Sequence, residues 1–558
     1  MVTGSPVVAR THPVRAAMVA AASRVHLLAL AAYVGVLAAE LSAIAAQLRT
    51  NSDVASTLLV GHAIATGTAG RPLEIGQPAF AWAIAATDWL GHANAVWAVA
   101  PLLISWAGLV AIAVAVGRVA GRWAAGLALA LGAGAGPAAL LTEVAPAFHE
   151  VTWCFTGLLG LFVVLLCGGR GRRPVVVAAS AVVGAAAGAA AATDGLLLVT
   201  GLLPLLPAAL WARSRGRDAG GVLLGVAVAA GFAAAAFAGL HLWMSSAGFS
   251  SGIGGGATRG ASLAGLGDHL HVVGQGVLDL ANGLSLTSDP SGPATLAAAA
   301  LALAVAAVAV AAVTRRAVLD PGVAVAASRR AAHVAYWLSS AVLLLGALLV
   351  SNVITPGGDT PVSTRLISSQ RYQTALFFAA AALLPLAARR PRGRALAAVL
   401  VAAFVALSAV RVAAATGADD FQRAESRSLP ALQATLLAHG LHRGYASYWD
   451  AVALRLSSAG ALDMLPAAAG VQCGGADPRV MCRDILSAVG GWFVPAQGAT
   501  FIVVDPTDEF ITGPPPASVG SPVQVFTVDR FTVYVYGDDV MARFVTTCAG
   551  RADHRCTH

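Results

Sequence analysis

Eleven times along its 558 residues, the chain runs for about twenty positions with almost no charged side chain. A window of about 19 residues finds these apolar stretches near 25–47, 94–117, 123–142, 151–168, 175–193, 195–212, 221–243, 294–313, 331–353, 371–388 and 395–414. A helix of that length crosses a hydrocarbon core of about 30 Å, and a helix satisfies its own backbone hydrogen bonds where no water can. The stretches predict an α-helical polytopic membrane protein with about eleven transmembrane helices. Composition agrees, because 11% of the residues are charged where a soluble chain carries roughly 25%. Disorder, collagen and a simple soluble enzyme are excluded.

The formal charge of +8 comes from 35 basic residues, every one of them Arg. Without Lys there is no Walker A lysine, no Schiff-base lysine and no Ser-x-x-Lys nucleophile. The arginines sort by loop. With the N-terminus inside, the inner segments hold nineteen, among them Arg118, Arg122, Arg213, Arg329, Arg330, Arg390 and Arg394, while the outer loops before residue 411 hold five. The acids invert the pattern, with Asp53, Glu74, Asp88, Glu143, Glu150 and Asp194 outside. The charge thus reads as a positive-inside topology signal and gives no support to nucleic-acid binding.

An odd number of spans places the C-terminal segment outside. The expected organisation is a transmembrane domain over 1–414 and an extracytoplasmic α/β domain over 415–558, where strand-like runs such as TFIVV and VQVFTVDRFTVYVY return. The basic N-terminus lacks a short apolar core with a cleavage site, so the first span reads as an uncleaved signal anchor in the plasma membrane. Cys473, Cys482, Cys548 and Cys556 all fall in the exported segment and are disulfide candidates, sequence-near pairs first, with zinc as the alternative.

The outer loops hold the candidate chemistry. Asp53 follows a capping Asn51 or Ser52 at the end of the first span, and His62 lies further along the same helical repeat. Asp53 is either a functional carboxylate or a helix-start acid favoured by the macrodipole. The run TEVAPAFHEVT packs Glu143, His149 and Glu150 into one short loop, able to bind a metal, move a proton or hold a phosphate, or else to be solvated polarity. Asp194 closes the fifth span, and ionisable groups at membrane depth are costly enough to suggest function. Arg365 and Arg371 stand on the outer side against the general trend; a guanidinium there either meets a phosphate or snorkels to the interface. A formal GxSxG at 248–252 follows an apolar helix and precedes a glycine run, which suits a loop better than a nucleophile elbow.

Taken in order, Asn51-Ser52-Asp53, Phe148-His149-Glu150, Gln370-Arg371-Tyr372 and the exported C-terminal segment resemble the GT-C superfamily of membrane glycosyltransferases. The likeness is to the bacterial protein mannosyltransferase and aminoarabinose transferase group, including actinobacterial arabinofuranosyl- and mannosyltransferases, and it covers about 25–414. An Arg-only, Ala- and Gly-rich chain agrees with a high-GC actinobacterial source. The resemblance implies an inverting glycosyltransferase that moves a sugar from a polyprenyl-phosphate donor to a cell-envelope glycan, lipid or protein on the outer face. Asp53 would be the base, and Arg371, Arg365 and His149 would hold the donor phosphate. Glu143, Glu150, His62 and Asp194 would assist the acceptor or a divalent cation, Mg or Mn. Many members carry two adjacent acids in the first loop, whereas Asp53 follows Asn and Ser here. That leaves either a single carboxylate base or a metal shared with Glu143 or Glu150. Two other classes stay open, a transporter or flippase of lipid-linked sugars and a non-catalytic cell-wall-binding scaffold.

Overall fold

The computed structural model describes residues 13–48, 52–68, 73–75, 78–91, 96–145, 149–168, 173–215, 220–246, 249–251, 266–267, 269–274, 311, 315, 324–350, 362–388, 390–417, 425–469, 481–483, 500–507, 511 and 513–544. The chain is mostly helical. In order, the described helices begin with α1 (Pro13–Ala22), α2 (Val25–Leu48), α3 (Ser52–Ala65), α4 (Pro78–Ala86), α5 (Val96–Ala120), α6 (Arg122–Ala133), α7 (Pro137–Val144) and α8 (Glu150–Leu166). They continue with α9 (Arg173–Thr193), α10 (Leu205–Arg215), α11 (Gly220–Ser246), α12 (Ala324–Val350), α13 (Val362–Leu383), α14 (Pro391–Gly417), α15 (Glu425–Ala438) and α16 (Tyr448–Ser457).

Among the described residues six helices are long and apolar enough to cross a membrane: α1 and α2 taken together from Ala16, α5, α9, α11, α12 and α14. Several turn large apolar side chains outward, among them Leu103 and Val110 on α5, Val182 on α9 and Leu400 and Val410 on α14. Helices apolar on every side suit a membrane-embedded protein. Other apolar stretches are shorter or interrupted. The stretch near 123–142 breaks at Gly134–Gly136, and α7 starts on Pro137, whose missing N–H costs nothing at a helix start. The stretch near 195–212 passes through a π turn, Leu198–Leu202, before α10. The stretch near 371–388 ends in a 3₁₀ turn, Leu384–Ala387, and α8 has 17 residues. The stretch near 294–313, apart from residue 311, lies outside the described residues.

Side chains repair the breaks. Tyr33 donates its hydroxyl to the Ala135 carbonyl at 2.8 Å, beside the α6–α7 interruption. Pro204 has no N–H to give the Thr200 carbonyl, and Ser340 from α12 donates to it at 2.7 Å. Where the helices are unbroken, small residues set their spacing. A Cβ on Gly108 would collide with the α8 backbone at Trp153 and Cys154, and one on Gly184 or Gly188 with the α11 backbone at Ala229 or Ala233. Such close approach maximises van der Waals contact, which holds helices together where lipid removes the hydrophobic drive.

Arg-bearing turns meet at one end of the bundle. Trp123 donates to the Ser23 carbonyl at 2.8 Å, Ser328 to Ala212 at 2.7 Å, and the Arg329 guanidinium lies against Gly168. At the other end Gln47 donates to the Thr416 carbonyl at 2.9 Å, tying the end of α2 to the end of α14.

Beyond α14 lies a six-stranded mixed sheet with strand order β5-β4-β3-β6-β8-β7, made of β3 (Arg443–Ala446), β4 (Asp463–Ala469), β5 (Met481–Arg483), β6 (Phe501–Val504), β7 (Gln524–Val528) and β8 (Phe531–Val535). A separate parallel pair joins β1 (Leu73–Ile75) to β2 (Phe249–Ser251), so the GxSxG serine, Ser250, sits in a short strand opposite Glu74. In the larger sheet β3 is parallel to both β4 and β6, and α16 makes the β3-to-β4 crossover. Ser447 caps α16 by accepting the Asp450 N–H at 3.3 Å. Asp463 on β4 pairs with Arg443 of β3 at 3.1 Å and Arg455 of α16 at 2.7 Å, clamping the unit. Its core is Leu429, Leu432, Leu436, Met464, Phe501, Val503 and Phe531, which face one another from α15 and the strands.

Candidate functional site

The first group forms where α3 begins. Its first turn carries Asp53, and an acid there is favoured by the positive end of the helix dipole. The segment opening α16 seats on this turn. Ser52 donates its hydroxyl to the Trp449 carbonyl, and the Tyr448 hydroxyl donates to Asp53 Oδ1 at 3.2 Å while lying 3.4 Å from the Ser52 carbonyl. Tyr448 is buried, its ring edge-on to Trp449 with centroids 5.2 Å apart. The carboxylate thus sits at the seam between the helix bundle and the C-terminal α/β unit. At the far end of α3, His62 bonds through Nδ1 to both oxygens of Asp88, at 2.9 and 3.1 Å, and is more exposed.

The second group gathers three segments that are far apart in sequence. His149 holds φ 81° and ψ 9° as it enters α8, a left-handed conformation costly for a residue with a Cβ. That turn brings its ring to Asp194, Tyr372 and, at 5.9 Å between centroids, Trp153. Nδ1 meets Asp194 Oδ2 at 2.6 Å, and the ring lies 5.0 Å, centroid to centroid, from Tyr372 of α13. Asp194 also accepts the Thr152 hydroxyl and, through Oδ1, the Leu196 N–H at 3.1 Å. Burial opposes ionisation of Asp194, but the charge and hydrogen bond of His149, with the Thr152 and Leu196 donors, outweigh it and hold the carboxyl below its ordinary value.

Glu143 and Glu150 are fully buried. Glu143 Oε2 accepts the Trp106 indole N–H at 3.3 Å. Arg365 and Arg371 lie on α13, with their side chains outside the described residues; Tyr372, next along, is the residue seen to reach His149. Cys473, Cys548 and Cys556 lie outside the described residues, and Cys482 is on β5 with its side chain outside them.

A divalent cation shared by Asp53 with Glu143 or Glu150 would need those carboxylates to converge. Among the described residues no three of His, Cys, Asp and Glu come together. Asp53 accepts from the Tyr448 hydroxyl and Glu143 from the Trp106 indole, one oxygen of each carboxylate being used.

Sequence reasoning singled out His149, Asp194 and Tyr372 separately, and the fold joins them. It missed Tyr448 as a partner of Asp53, although HGLHRGYASYWDA, with its clustered aromatics, was the available signal. It also missed Asp88 as the partner of His62 and Thr152 as a donor to Asp194. Compared with protein-family models and with curated proteins, the chain matches none.

Proposed function

We propose that the chain is a membrane glycosyltransferase that moves a sugar from a polyprenyl-phosphate donor to a cell-envelope acceptor, with inversion. The observation that carries this reading is Asp53, a carboxylate at the seam of an apolar helix bundle and an α/β unit, oriented by Tyr448. A lipid-borne donor and a water-borne acceptor can meet only at such a boundary. The acceptor hydroxyl attacks the anomeric carbon from the face opposite the phosphate and gives its proton to Asp53. The bond from the anomeric carbon to the phosphate oxygen breaks, and polyprenyl phosphate leaves with the electron pair. Because a phosphate is already a good leaving group, positioning and charge stabilisation supply most of the acceleration. The reading keeps Arg371, Arg365 and His149 as the donor-phosphate cradle, with about eleven spans and the α/β unit on the outer face.

In membranes given a radiolabelled polyprenyl-phosphate sugar, Asp53→Asn is expected to lower transfer at least a hundredfold with the protein still folded. Full transfer by that variant removes the assignment. The alternative is a carrier of lipid-linked sugars, although the two interrupted helices, at Gly134–Pro137 and at Pro204, both fall in the first half of 1–414 and so are not the matched pair that carriers show. A carrier would move labelled donor between leaflets without transferring the sugar.

A further inference from the structure

His149 stands where the N-cap of α8 belongs, yet its side chain makes no capping hydrogen bond. The ring reaches across to Asp194 instead, with Nδ1 2.6 Å from Oδ2. A carboxylate only accepts, so Nδ1 carries the proton of that bond and the orientation of the ring is fixed. Asp194 is itself held, because Thr152 donates to the same oxygen and the Leu196 N–H to Oδ1 at 3.1 Å. Those donors keep its carboxyl below the ordinary value in spite of burial, so a negative charge stands beside the ring. Tyr372 and Trp153 lie 5.0 and 5.9 Å from the imidazole, centroid to centroid. An imidazole held by a carboxylate and two rings, on a backbone at φ 81°, is over-determined, and strained residues of that kind cluster at functional positions.

The other ring nitrogen takes no part in this. Nε2 has no hydrogen-bond partner among the described residues, and 12% of the His149 side chain stays exposed. A histidine that gives its Nδ1–H to a fixed carboxylate keeps Nε2 for proton transfer. The ionisable groups that face it are Asp194, after α9, and Tyr372 of α13, next to Arg371 in the chain. Glu150 follows it on α8, and Glu143 of α7 accepts from Trp106. The position is at the Asp53 end of the bundle. α6 starts beside the start of α2, where Trp123 donates to Ser23, and the chain then passes Tyr33 at Ala135. The end of α7 and the start of α8 therefore reach the end of α2, where α3 begins, and Val151 packs against the apolar cluster that includes Val54 of α3.

We propose that His149 is the proton donor to the leaving phosphate, with Asp194 as its positioning residue. The inference rests on the transfer reading above and gives His149 a proton to move as well as a hydrogen bond to offer. As the bond from the anomeric carbon to the phosphate oxygen breaks, the electron pair goes to that oxygen. The Nε2 proton passes to the phosphate, leaving neutral imidazole and singly protonated polyprenyl phosphate. After release water returns a proton to Nε2, and Asp53, protonated by the acceptor hydroxyl, gives its proton to water, so the two exchanges cancel.

The first test needs no variant. In the full-length protein in neutral detergent, diethyl pyrocarbonate, which acylates an accessible imidazole nitrogen, should label His149, as mapped by peptide mass spectrometry. His333, which is fully buried, should stay unlabelled. Dodecyl phosphate, a single-chain phosphate monoester, should slow the labelling of His149 about tenfold at roughly ten times its Kd, by mass action. The second test follows transfer in membranes given radiolabelled polyprenyl-phosphate mannose and polyprenyl-phosphate arabinose. His149→Gln should lower kcat about a hundredfold or more. The parent's rate should fall on the alkaline side as the donor nitrogen loses its proton, and that fall should be missing in His149→Gln. Asp194→Asn should lower kcat about tenfold or more with the donor KM unchanged, and should move the alkaline fall to lower pH. Asp194→Glu, which keeps the charge, should recover part of the rate. An aspartate that only held the fold would reduce the amount of active protein without moving the pH profile. An unlabelled His149, labelling indifferent to dodecyl phosphate, or one pH profile shared by the parent and both variants overturns the inference and leaves sugar transfer standing. Failure of the parent to transfer either sugar removes the transfer reading and the inference with it.

Discussion

Tyr448 and Asp53 are 395 positions apart in the chain and share one hydrogen bond. Removing a donor to a charged acceptor costs roughly 1.5–3 kcal/mol. Tyr448→Phe should therefore lower the unfolding stability by about that amount, and the proposed sugar transfer about tenfold or more, since roughly 1.4 kcal/mol in a barrier is tenfold in rate. The check is transfer and unfolding measured on the same preparation. Asp194 gives a pH prediction. Its folded value lies below the ordinary 3.8, so the stability it contributes is present above about pH 3.8 and is lost as pH falls through the lower folded value. Asp194→Asn should thus be less stable than the parent at neutral pH, with the difference shrinking as pH falls below about 4. A difference that grew as pH fell below about 4 would contradict the lowered carboxyl.

At the scale of elements, the repaired break at Pro204 makes a double-mutant prediction. Ser340→Ala removes the donor to the Thr200 carbonyl and should cost about 1–3 kcal/mol. In a Pro204→Ala background position 204 regains an N–H, and the same substitution should cost measurably less, as read from unfolding in mild detergent. Gly108→Val drives a side chain into the backbone of α8 and should cost about 3 kcal/mol or more, seen as loss of monodisperse protein on size exclusion. The long helices were legible in the sequence because a sustained apolar run of that length has one outcome in lipid, and α5 continues through Pro101. The interruptions at Gly134–Pro137 and Pro204 were less so, since a hydropathy window averages over the residues that break a helix. Tyr33 and Ser340, which heal those breaks from other helices, carry no local mark of doing so.

Across the whole molecule, the segregation of arginines by loop has a spatial counterpart, in that Ser23, Trp123, Gly168, Ala212 and the start of α12 meet at one end. Loop charge could be summed from the sequence, but which loops touch depends on long-range packing. The same holds for the candidate site, whose residues were marked as unusual polar groups while their partners were not. The seating of the α/β unit on α3 also has a consequence for descent. Because Ser52 and Asp53 are met by Trp449 and Tyr448, the two ends of the chain cannot drift independently. A relative that exchanges one pair would have to exchange the other, and grafting a foreign α/β unit onto this bundle would succeed only with its own first turn of α3 carried along.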